Sequence, residues 1–111
     1  MHGQLVRDEA FADLAGVDAA FRAWTAWSAE HPDASPAIPG LSDAQAFFVA
    51  FAQSHCDYDT EAFERIASVV DTHADAGVRV NATLANLPDF AEAYACEPGT
   101  PMRPRTTCEA W

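Results

Sequence analysis

The chain has 111 residues, half of them apolar, with three Trp, seven Phe and a formal charge of −11. That length gives one domain, residues 1–111, without room for a second, and the apolar and aromatic content excludes a disordered segment. The charge argues against nucleic acid or an anionic membrane surface as a partner, and suits either solubility or a cationic substrate.

Residues 8 to 29 are predicted as a helix. Phe11, Leu14, Val17, Phe21, Trp24 and Trp27 recur at spacings of three and four, one apolar stripe, with Asp8 placed to cap the start. Glu30 to Leu41 follows as a loop broken by Pro32, Pro36, Pro39 and Gly40. Ser42 and Gln45 form a capping box ahead of Ala46-Phe47-Phe48-Val49-Ala50-Phe51-Ala52, a helix apolar nearly all round and expected to be deeply buried or covered by a partner. A third helix is expected from Thr60 to Val70, with Phe63, Ile66 and Val70 facing inward. Asn86 and Pro88 mark a short last helix through Tyr94, and the tail from Glu97 to Trp111 reads as irregular. No strand pattern is present, so the expected class is mostly α.

No apolar run approaches the ~20 residues that span a bilayer. The opening Met1-His2-Gly3-Gln4 lacks the charged and apolar regions of a secretory signal. If Met1 is the true start, the expected compartment is the cytoplasm. Cys56, Cys96 and Cys108 are odd in number, so at least one is free or paired outside the chain. A Cys96–Cys108 bridge and three reduced thiols are both open readings.

Glu9 and Asp13 lie four apart on one helix face, where two carboxylates repel unless a cation or donor sits between them. Taken bare, the pair is a solvated acidic face. Gly16 and Ala20 fall on the same side and are small enough for another helix to approach. His2, His31, His55 and His73 include no i, i+4 pair, the spacing that would place two imidazoles on one helix face. A lone His73 would read as a surface residue.

Several blocks change that reading. They are Glu9-x-x-Ala12-Asp13-Leu14-x-Gly16, Pro39-Gly40-Leu41, Phe47-Phe48-x-x-Phe51-Ala52-Gln53 and Asp71-Thr72-His73 followed by Arg79-Val80-Asn81. Thr83 to Tyr94, Cys96-x-x-Gly99-x-Pro101-Met102-x-Pro104 and the closing Cys108-Glu109-Ala110-Trp111 extend the series. In this order and spacing they resemble the C-terminal part of the neprilysin and endothelin-converting-enzyme family of zinc metallopeptidases. The resemblance implies a small helical domain like the C-terminal part of a thermolysin-like catalytic domain. It departs from the family at Ala10 and Phe11, and at Ala74-Asp75-Ala76-Gly77, where relatives usually carry Ser-Pro-Gly and a basic residue.

The family's other signature, H-E-x-x-H, does not occur here. It supplies two zinc ligands and the catalytic base. The resemblance therefore implies half a site: Glu9 as the third zinc ligand, Asp13 holding a ligating histidine, His73 stabilising the oxyanion with Asp71 orienting it, and Arg79 binding a substrate backbone carbonyl. It also implies one Zn2+ shared with a partner subunit carrying H-E-x-x-H, a peptide substrate, and no activity for this chain alone. By the same resemblance the three cysteines sit where relatives bond to upstream segments. The competing expectation is a relic of the same fold that binds a peptide or protein without catalysis.

Overall fold

The computed structural model describes residues 3–34 and 38–110; His2, Pro36 and Trp111 lie outside them. The described helices are α1 (Gly3–Glu30), α2 (Asp43–Ser54), α3 (Glu61–Val70), α4 (Ala76–Ala85) and α5 (Pro88–Ala93). Among the described residues there is no strand, only an isolated bridge between Thr100 and Arg103. No described helix is long and apolar enough to cross a membrane.

α1 starts five residues earlier than the apolar stripe predicts. Val6 extends that stripe toward the N-terminus and is buried, so packing carries the helix back through residues that favour helix. Asp8 is consequently inside the helix and caps nothing; its Oδ1 accepts from Arg7 Nε at 2.9 Å. The stripe itself divides. Leu14 and Val17 are buried and Phe21 and Trp24 half-buried, while Phe11 and Trp27, at its two edges, stay exposed. Asp18, on the same helix, is buried and pairs with Arg22 one turn on at 2.9 Å.

α2 begins at the predicted capping box, with Ser42 Oγ accepting from Gln45 N and Gln45 Oε1 accepting from Ser42 N. Its burial is less than its apolar sequence suggests. Phe48 alone is buried, at 1% exposed, under the rings of Phe21, Phe47 and Phe90. α5 closes on α2 through two hydrogen bonds: Gln45 Nε2 donates to the Ala93 carbonyl at 2.9 Å, and Tyr94 Oη donates to the Gln45 carbonyl at 3.1 Å. Asn86 does not open α5; it ends α4, and Leu87 holds the N-cap position with Pro88 following. The core is Leu14, Val17, Phe48, Leu84 and Leu87, set between α1, α2, α4 and α5.

α4 falls where the sequence reading placed no element. Asp75 Oδ1 accepts from Val78 N at 2.9 Å and starts it. Leu84 reaches the core and Val80 packs against it, an i, i+4 pair that carried the signal. α4 packs on α1, α2 and α5, so it is the central helix. The irregular tail is strapped to its end, where Asn86 Oδ1 accepts from Cys108 N at 2.7 Å. Gly99, with φ +87°, lets the tail turn sharply at the Thr100–Arg103 bridge.

α3 corrects the sequence expectation most clearly. Thr60 caps it as the pattern suggests, but none of its residues is buried. Phe63, Ile66 and Val70 do not face inward; they stand 53%, 63% and 68% exposed. The reason is geometric, because α1, α2, α4 and α5 satisfy one another and leave α3 outside that packing.

Candidate active site

α1 presents Glu9 and Asp13 one turn apart on the face that meets α4. The turn before α4 brings Asp71 and His73, and the first turns of α4 bring Arg79. Asp71 Oδ1 accepts from His73 N at 2.8 Å, a local turn that fixes the histidine backbone. The Ala74–Gly77 stretch is thus a helix start, capped by Asp75, where the family departure lies.

Two pairs of contacts organise these five residues. Arg79 donates from Nε to Asp13 Oδ2 at 2.7 Å and from Nη2 to Asp13 Oδ1 at 2.6 Å. The pair is bidentate and mostly shielded, with side chains 23% and 14% exposed. His73 spans the other two carboxylates: Nε2 lies 3.3 Å from Glu9 Oε2 and Nδ1 lies 3.1 Å from Asp71 Oδ1. These three side chains are half-exposed. All five residues named from the sequence therefore gather in one cluster at the α1–α4 junction.

The electrostatics follow from those contacts. The Asp71 carboxyl is held below its ordinary value, first by the His73 backbone N–H and then by the imidazole. The Arg79 guanidinium is pushed above its ordinary value by its hydrogen bonds to Asp13. Asp13 is therefore paired directly with a guanidinium, whereas the nearest partner of Glu9 is the His73 imidazole, with the Arg79 charge further off.

Among the described residues no three His, Cys, Asp or Glu side chains are arranged to hold a metal ion. The donor set fits one corner of a catalytic zinc site, a single accessible carboxylate, and not a complete one. All three described cysteines are unbridged, Cys56 and Cys108 exposed and Cys96 half-buried, so Cys96 and Cys108 form no bridge here.

Two grooves flank the cluster. One, of about 690 Å3, runs from His73 and Arg79 past His55 and Tyr58 to Phe63 and Glu64 on α3. The other, of about 290 Å3, is largely apolar and lies between α1 and α4, with Glu9, Asp13 and Arg79 along it and Cys108 at its wall. Tyr58, 95% exposed, is not among the site residues the sequence points to. The available signal was an aromatic standing alone between Asp57 and Asp59, a poor position for a core residue.

The sequence model of peptidase family M13 matches residues 1–110. The chain belongs to that family. Neprilysin-1 of Caenorhabditis elegans is 34% identical to it and endothelin-converting enzyme 1 of Cavia porcellus 35%, each over the whole of this chain. Endothelin-converting enzyme 1 of Homo sapiens is 36% identical, again over the whole chain. This M13 chain spans about 15% of the length of such relatives. M13 peptidases are zinc metallopeptidases, and the mostly helical structure agrees with a small helical domain of the M13 fold.

Proposed function

We propose that this chain supplies the third zinc ligand and the transition-state donors of a neprilysin-like metalloendopeptidase whose H-E-x-x-H residues come from a partner subunit. The observation that carries the proposal is the juxtaposition of an accessible Glu9 with His73 and the Asp13–Arg79 pair. A surface accident would scatter these groups; here α1, the turn before α4 and α4 itself bring them into hydrogen-bonding or ion-pair contact.

Zinc bound between Glu9 and two partner histidines would supply a Lewis acid and a water of lowered pKa. The chain's own residues then have separate tasks. Glu9 would ligate through its half-exposed carboxylate. Asp13 accepts from Arg79 through both oxygens and keeps a lone pair on each, enough to take the N–H of a ligating histidine and fix its orientation. With Asp71 on its Nδ1 side, His73 would donate from Nε2, which lies 3.3 Å from Glu9 in this chain by itself and is released when Glu9 takes the metal, to the carbonyl oxygen of the peptide as negative charge develops there. Arg79 is spent on Asp13 through Nε and one Nη2 hydrogen, and its remaining N–H groups are the donors for a substrate backbone carbonyl. One carboxylate does not hold a catalytic zinc, so the chain alone is inactive.

The test is co-purification with a candidate H-E-x-x-H subunit, followed by zinc content and peptide cleavage for wild type and Glu9→Ala. Stoichiometric zinc and cleavage in the complex, both lost in Glu9→Ala, are expected. A stable zinc-free chain, indifferent to Glu9→Ala in every assembly, would instead make it a non-catalytic module of the same fold.

A further inference from the structure

α3 is amphipathic, and its apolar side faces solvent. Phe63, Ile66 and Val70 recur at spacings of three and four, with Val69 beside them at 59% exposed. Phe63, Glu64 and Ala67 also form the far wall of the groove that reaches His73 and Arg79, so this surface is continuous with the candidate active site. The molecule as a whole exposes 7612 Å2. A 12.0 kDa monomer ordinarily exposes about 6,000 Å2. The surplus exceeds the ~800 Å2 that one partner contributes to an interface of standard size.

Charge narrows the occupant. The groove that Phe63 lines also carries Asp57, Asp59 and Glu64, and the one basic residue of α3, Arg65, lies 3.4 Å from Glu61. A second copy would bring the same acidic residues on a chain of formal charge −11. The relatives offer another source of cover, because in them this stretch is 15% of a longer polypeptide. We infer that α3 is the docking helix for the polypeptide that completes the peptidase site, through an apolar patch on that polypeptide rimmed by Lys or Arg. The inference rests on the shared-site reading above. It places the partner on the far wall of the groove as well as over Glu9, so that docking closes the groove around a peptide.

The experiment co-expresses this chain with human endothelin-converting enzyme 1 lacking its matching stretch, and reads capture and peptide cleavage separately. Three chains are compared: wild type, Ile66→Asp/Val70→Asp and Glu9→Ala. The double variant should melt as wild type does in isolation, because its stripe touches no core. It should lose capture by about 30-fold or more, the loss expected of a buried apolar anchor. Glu9→Ala should keep more capture than the double variant and lose cleavage.

Equal capture of the double variant and wild type overturns the docking role. So does a lowered melt of the isolated double variant, which would mean that the stripe packs on its own fold. A wild-type homodimer abolished by the same substitutions assigns the face to a second copy and also overturns it. Capture of wild type without any cleavage leaves α3 docking intact and defeats the catalytic reading alone. No capture of wild type defeats both.

Discussion

Arg79 and Asp13 link α1 to α4 through a mostly shielded, bidentate contact, and removing one charge leaves the other without its hydrogen-bonded counter-ion. Asp13→Asn should therefore destabilise the chain by about 2–3 kcal/mol in urea titration. Pairing it with Arg79→Met should recover part of that loss, and additive losses would show that the two side chains are not coupled. Glu9 is the contrasting case. It is half-exposed beside a half-exposed imidazole, so Glu9→Ala should change stability by no more than about 0.5 kcal/mol. A carboxylate that costs nothing to remove from the fold, yet abolishes cleavage in the complex, is there for chemistry. Asp71 makes its own prediction through pH. Its folded pKa lies below the ordinary value, so the stability it contributes is present above the unfolded pKa of 3.8 and is lost as pH falls through the folded value. Thermal melts of wild type should fall more steeply below about pH 4 than those of Asp71→Asn; parallel curves would remove Asp71 from the account.

The elements differ in how far the sequence revealed them. α2 announced itself by Ser42 and Gln45, a signal local to four residues, and both reciprocal hydrogen bonds form. Ser42→Ala should cost about 1 kcal/mol by the loss of that cap, and Phe48→Ala, at the centre of the ring cluster, about 3–5 kcal/mol. A smaller cost for Phe48→Ala than for Ser42→Ala would mean that α2 is held by its own ends and not by the core. α4 is hidden in the sequence because its cap, Asp75, and Val80 lie inside the Asp71 to Asn81 motif, whose residues are those of a site. α3 was assigned correctly as a helix and wrongly as a buried one. Periodicity reports that a helix has an apolar side; it carries no information on whether this chain provides the surface to cover it. The site was more legible than the packing. Glu9 and Asp13 are one helical turn apart in sequence, so their common face is local. The Arg79–Asp13 pairing was not readable, because it spans 66 residues and depends on how α1 meets α4.

At the scale of the molecule, the fold is looser than its length warrants. The radius of gyration is 15.4 Å, against about 13 Å for a compact chain of this size. The cause is visible in the elements. α1 is 28 residues long but only Val6, Leu14, Val17 and Asp18 along it are buried. Beyond the stretch that meets α4, its Gly16–Ala20 side carries the exposed Trp27, and at Gly16 an added Cβ would meet nothing. α3 adds a second uncovered face. Two such faces on one small core predict marginal stability for the chain by itself, with a lower urea m-value than its length suggests, because less surface is hidden in the native state to be exposed on unfolding. A partner that covers both faces binds only the folded form and stabilises it by mass action. At 100 times the dissociation constant the gain is about 2.7 kcal/mol, on the order of 10 °C in melting temperature for a chain of this size. The melt should then depend on partner concentration, and both polypeptides should unfold in one transition. A sharp melt of the isolated chain, unmoved by a saturating H-E-x-x-H subunit, would mean that these faces are the finished surface of a monomer. Glu9 would then lie on a helix that never meets a histidine pair.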